Sequence, residues 1–272
     1  MSELILELPT VTASADHLLA ALCRCHDELA ARVHGLDEAG LTRRSYCTDW
    51  SVAQVLSHLG SGAEIALAQL QAARVGTAPL GPDDFRAVWA RWDARPPGQQ
   101  AAAFAEAVPR LHDAVDALDD AARRRLRPYS HAGPVELPVF LAFRLVEQTL
   151  HAWDVHVAFD PAAAVDAEAV GLLVELLPLG AGLVDAEVLA ALAPARLAVA
   201  TSDPAQRLVL DLGTHARLGP AGDGEVSGSL RLPAEALVRL ITGRLDPAHT
   251  PADTDTEGRP SLDELRRLYR GH

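Results

Sequence analysis

The side chains best placed to do chemistry lie in R-L-V-E-Q-T-L-H-A-W-D at positions 144–154, where Arg144, Glu147, His151 and Asp154 follow one another at spacings of three, four and three. On an α-helix those spacings put all four on one stripe. A soluble helix turns such a stripe toward its core, where a charged or imidazole group is costly unless it is paired or bound to a metal ion. Two arrangements answer that cost. In one, Arg144 pairs with Glu147 and holds it in place while His151 bonds to nearby backbone. In the other, Glu147 and His151, one turn apart, offer a carboxylate oxygen and a ring nitrogen to a single ion, as the two histidines of H-E-x-x-H do for zinc.

A third candidate ligand is His58. It sits on or beside the inward stripe of another helix, formed by Val52, Val55, Leu56, Leu59 and Ala63. Two histidines and one carboxylate are the protein ligands of many open zinc sites, with the fourth position left to water or substrate. A closed structural site would need a fourth protein ligand, and no cysteine shares a helix turn with any of the three.

These residues need long helices to carry them. The seam Val11, Ala15, Leu18, Leu22, Cys25 and Leu29 predicts a first helix from about Ser14 to His34. Ser51-Val-Ala-Gln54 is a capping box that opens the helix carrying His58, with Trp50 placed to staple against Val55. The connection Gly76–Asp83 and the break at Pro96-Pro97-Gly98 flank a short helix over Phe85–Trp92. Phe104, Val108, Leu111, Val115 and Leu118 then predict a third long helix from about Gln99 to Leu126, with Pro109 a point of kinking and Arg123-Arg124-Arg125 as a solvated basic end. A fourth starts near Pro138, a residue suited to a first helical turn. His112 and His131 show no partner pattern and read as surface or loop residues. Three apolar seams and one polar seam describe a four-helix bundle with a site in its interior.

From 161 to 194 the chain is rich in Ala and Leu and reads as a helical connection broken at Gly180-Ala-Gly182. After it come β-like runs at Arg196–Ala200, Arg207–Leu212 and Glu225–Leu232, then helices over Pro233–Gly243 and Ser261–Arg270, an α+β pattern over 195–272. The expected division is therefore 10–160, 161–194 and 195–272, as suits a length near the limit of a single core.

Composition excludes several classes. A formal net charge of -13, with no basic stripe, speaks against a nucleic-acid surface. No long uncharged apolar run predicts a membrane span, and Met1–Thr10 lacks the basic start and apolar core of a signal peptide, so a cytoplasmic protein is expected. Three cysteines, Cys23, Cys25 and Cys47, make disulfides an unattractive reading; Cys25 lies on a core seam, and neither Cys23 nor Cys47 has a recognisable His or Asp partner in the sequence.

W-S-V-A-Q-V-L-S-H-L at 50–59, followed by R-L-V-E-Q-T-L-H-A-W-D at 144–154, resembles the two signature segments of the DinB-like, mycothiol-dependent maleylpyruvate isomerase family. The resemblance covers residues 10–160 well and the remainder more loosely, with G-S-L-R-L-P-A-E-A-L-V-R-L-I-T-G-R at 228–244 similar to the last strand and helix of the family's small sterol-carrier-like domain. It implies a mainly α fold, with a DinB-like four-helix bundle followed by a small α+β sterol-carrier-like domain. It also implies zinc or another divalent metal on His58, Glu147 and His151, with Asp154 in the family's His-x-x-Asp position. Asp154 would orient His151 or face the substrate, and Arg244, or Arg231, would reach an anionic substrate.

The implied activity is zinc-dependent activation of a low-molecular-weight thiol, mycothiol in most members, as a metal-bound thiolate for transfer to, or isomerisation of, a small electrophile. Two alternatives stay open: a ligand-binding or regulatory protein on the same scaffold with a structural metal, and a metal-dependent hydrolase. No particular oligomeric state is implied.

Overall fold

The computed structural model describes residues 11–47 and 49–270, so the expectation for Met1–Thr10 lies outside the described residues. The chain divides into two compact units, Val11–Ala164 and a second beginning at Val165.

The first unit is built on four long helices: α1 (Ala15–Val33), α2 (Val52–Val75), α3 (Pro97–Asp116) and α4 (Leu137–His156). Each packs against two others, α1 on α3 and α4, α2 on α3 and α4, so the four close around one core. Leu18, Leu22 and Leu29 of α1, Leu56 and Leu59 of α2, Phe104 and Leu111 of α3, and Leu141 and Leu145 of α4 fill it. Each such side chain contributes about 1.5–3 kcal/mol by leaving water. The start signals act as expected: Ser14 caps α1, and the Ser51–Gln54 capping box opens α2. A short helix over Pro82–Asp93 lays Trp92 on α2 at Gly60, where a Cβ would come within 2.3 Å of the indole.

The expected third helix is divided. It stops at Asp116, and a separate turn of helix, Asp120–Arg125, begins at Asp119, whose side chain accepts from the Ala122 N–H. An aspartate at that position offers the backbone a cap in place of another turn. The basic run is accordingly more than a solvated end. Arg123 donates to the carbonyls of Val115, Asp116 and Leu118, so it closes the open C-terminus of α3, and it also pairs with Asp16 of α1.

The second unit is α+β. Five strands, β1 (Ala195–Ser202), β2 (Gln206–Leu212), β3 (Ala216–Pro220), β4 (Gly228–Pro233) and β5 (Asp255–Gly258), form one sheet in the order β3-β2-β1-β4-β5. The central pair β1/β4 is parallel, with Val199 opposite Leu230, and the other pairings are antiparallel. Helices Ala234–Ile241 and Leu262–Leu268 follow β4 and β5. The two edge strands β3 and β5 were not expected. Both are short: β3 alternates over only Ala216, Arg217 and Leu218 before Gly219-Pro220, and β5, Asp255–Gly258, is polar throughout, so neither is long enough to give a periodic signal. The expected run began at Glu225, but β4 starts at Gly228, and Val226 before it is 50% exposed. No helix among the described residues is long and apolar enough to cross a membrane.

Candidate metal centre

The capping box fixes where α2 begins, and His58 lies two turns in, facing α4. Its ring Nε2 stands 3.0 Å from Glu147 Oε2, and the same oxygen is 3.8 Å from His151 Nε2. The two imidazole rings meet edge to face, with centroids 4.7 Å apart. Two ring nitrogens and one carboxylate oxygen thus converge from facing helices. Ligands of a tetrahedral zinc ion at 2.0–2.1 Å stand about 3.3 Å from one another, a value that the two measured separations bracket, so the donor set fits a small divalent ion.

In the conformation described, the space between the ligands is spanned by a direct His58–Glu147 hydrogen bond. Burial pushes the Glu147 carboxyl up, but that hydrogen bond, together with the fields of His151 and Arg144, outweighs it and holds the group at about 2. Glu147 is therefore an anion at neutral pH, as a ligand must be.

Exposure is graded across the cluster. The side chains of Glu147 and His58 are 45% and 33% exposed, that of His151 is 13% exposed and that of Asp154 is fully buried, so the cluster opens to solvent on its Glu147–His58 side. Behind it, His151 Nδ1 donates to Asp154 Oδ2 at 2.8 Å. This fixes the tautomer and leaves Nε2 free toward Glu147, the arrangement by which a carboxylate orients a metal-binding histidine. Asp154 lies behind His151, away from the open side.

The loop before α2 adds residues that spacing could not reveal. Ser45 N–H donates to the Trp50 carbonyl, Trp50 N–H donates to the Cys47 carbonyl, and Tyr46 N–H donates to the backbone carbonyl of Asp154. The loop is thereby tied to α4. It carries the Cys47 thiol to 3.1 Å from Asp154 Oδ2 and 3.9 Å from His151 Nδ1. Cys47 therefore has both an Asp and a His neighbour, against the sequence expectation. The Trp50 ring lies 5.0 Å from the ring of His58 and 5.9 Å from that of His151, a wall of the cluster beside the helix start. The signal in sequence was the loop's position before a strong helix cap, which gives no partner.

Other expectations change. Arg144 forms no hydrogen bond or ion pair with Glu147; its guanidinium lies on the backbone of α2, where a Cβ at Gly62 would be 2.8 Å from Nη1. His112 is no surface residue. It is 7% exposed, with Nδ1 3.4 Å from the Cys23 sulfur and its ring 6.0 Å from that of His26, so Cys23 too has a histidine partner. Burial, then the charges of Asp27, Asp116 and Asp113, push the Cys23 thiol up, which keeps it protonated and a poor nucleophile. His131 is exposed and packs its ring on Phe143. In the second unit Arg231 pairs with Asp255 on the neighbouring strand, and Arg244 donates to the Thr242 carbonyl.

Helices closing around a cluster of two histidines and a glutamate place the first unit among helical-bundle proteins with a candidate divalent-metal site. Residues 22–156 match the family described as mycothiol maleylpyruvate isomerase N-terminal domain, and this bundle belongs to that family. Among solved structures, the chain is similar to the mycothiol-dependent maleylpyruvate isomerase, with a TM-score of 0.66 at 15% identity over 92% of this chain and 96% of that one. A histidine-to-alanine mutant of that enzyme matches over the same shares, with a TM-score of 0.65 at 15% identity. At such identity the likeness is one of fold, and it extends over both units. No curated protein matches the chain by sequence.

Proposed function

We propose that this protein is a metal-dependent enzyme that uses a low-molecular-weight thiol, mycothiol by analogy with the enzyme it resembles, to isomerise or to be transferred onto a small electrophile. The observation that carries the reading is the convergence of His58 Nε2, Glu147 Oε2 and His151 Nε2, with His151 oriented from behind by a buried carboxylate. A divalent ion held there, zinc by donor chemistry, supplies a positive charge that favours the thiolate form of an incoming thiol at neutral pH. The protein's own part is positional. Asp154 holds the His151 ring so that Nε2 points at the other two donors, and Trp50 shields one side of both imidazoles from water. The open Glu147–His58 side leaves room for the thiol and the electrophile to approach.

The test is metal content followed by thiol dependence. The purified protein is expected to carry about one divalent ion per chain, and His58→Ala, Glu147→Ala and His151→Ala are each expected to lower occupancy sharply by elemental analysis. Unchanged metal in all three would sink the site, whereas full turnover without added thiol, in protein freed of bound small molecules, would move the reading to hydrolysis.

A further inference from the structure

Arg144 is the one member of the 144–154 stripe that the metal reading does not use. It is half-buried between α4 and α2, and among the described residues its guanidinium makes no hydrogen bond and no ion pair. The charge that acts on it is that of Glu147, whose Oε2 is already engaged by His58. Several other arginines of this bundle show what a structural role looks like: Arg123 caps three carbonyls, Arg91 pairs with Glu64, Arg110 with Glu106 and Arg127 with Glu136. A guanidinium presents five donors in a planar fork that matches a carboxylate, and withdrawing that charge from water without a partner is costly. Burial does act on it, disfavouring its charged form.

Its place along the bundle is defined on both helices. On α4 it precedes Glu147 by three residues, and on α2 it rests at Gly62, four residues beyond His58, so it lies about one helical turn, roughly 5 Å, from the ligand cluster on the same faces. The absence of a side chain at Gly62 is what lets the fork lie there; any Cβ would meet Nη1 at 2.8 Å.

We propose that Arg144 is the anion-receiving residue of the site, taking a carboxylate of the electrophilic substrate while the reacting end lies at His58, Glu147 and His151. This rests on the metal reading above for the second half of the statement, and on Arg144 alone for the first. A carboxylate bound there forms a charge-assisted, forked pair, which also fixes the direction in which a small substrate lies.

The experiment is calorimetric titration of the full-length, zinc-loaded protein with maleate, a small dicarboxylate, and separately with N-acetylcysteine, whose carboxylate belongs to a thiol. Arg144→Gln is expected to weaken maleate binding by at least ~10-fold, the scale of a hydrogen-bonded charge. Zinc content and N-acetylcysteine binding should be unchanged, and the melting temperature unchanged or raised, because the cation removed has no structural partner. Arg144→Lys, which keeps the charge and loses the fork, should fall between and serves if the glutamine variant does not fold. Maleate affinity unaltered in both variants would overturn the assignment, as would a loss confined to N-acetylcysteine or a fall in melting temperature like that of a broken ion pair. If wild-type protein binds no zinc, the metal reading fails, and the same maleate titration on metal-free protein still reads Arg144.

Discussion

Asp154→Asn tests how the cluster is held. The wild-type carboxylate is fully buried and its Oδ2 takes two donors, His151 Nδ1 at 2.8 Å and the Cys47 thiol at 3.1 Å. Asparagine keeps the volume but removes the charge, and its NH2 offered to His151 would favour the tautomer with the proton on Nε2, the atom needed for the metal. Loss of such an orienting partner typically weakens metal affinity ~10- to 100-fold, about 1.4–2.7 kcal/mol. The assay is competition for zinc against a calibrated fluorescent chelator at pH 7, with melting of the metal-free protein as the control for folding. Wild-type zinc affinity in Asp154→Asn would refute the argument that His151 is oriented from behind. So would a loss that disappears once corrected for the fraction unfolded. Cys47→Ser, which retains a hydroxyl donor near Asp154, should change affinity far less than Asp154→Asn, and the reverse order would show that the thiol, not the imidazole, is the partner that matters.

Two further outcomes follow from the same geometry. His112 is held down to about 4, by burial first and then by His26 and Arg144, whereas an imidazole in the unfolded chain titrates near ~6.5; the unfolded state therefore takes up the proton first, and stability that is full above ~6.5 is lost as pH falls toward 4, by at most about 3 kcal/mol. Urea unfolding of metal-free protein at pH 7 and pH 5 reads this, and His112→Gln should flatten the difference; an equal slope in the variant would show that the pH dependence arises elsewhere. The triple variant Cys23→Ser, Cys25→Ala, Cys47→Ser should keep most thiol-dependent turnover, since Cys23 is held protonated and Cys25 is buried, and loss of turnover with zinc retained would make a protein sulfur the nucleophile.

Periodicity and caps made the bundle legible before any coordinates. Ser14, Ser51 with Gln54, and Pro138 mark helix starts by local backbone chemistry, and the seams through Leu18, Leu56 and Phe104 assign three of the helices an inner face. The same spacing argument singled out His58, Glu147 and His151. It missed the break after Asp116, where the Asp119 side chain caps a new turn of helix, and the edge strands β3 and β5, which are too short to show a period.

Sequence by itself determined which faces the polar residues occupy, because the helical repeat is a property of neighbouring residues. What stands opposite each of them was decided only by the fold. The His58–Glu147 contact spans 89 positions and the Cys47–Asp154 contact 107. Both are made by the order in which four helices close and by a loop tied to the far end of α4. The tertiary structure likewise separated Arg144 from Glu147, despite ideal spacing for a pair, since a carboxylate already bonded to an imidazole across the bundle has less to gain from a guanidinium one turn away.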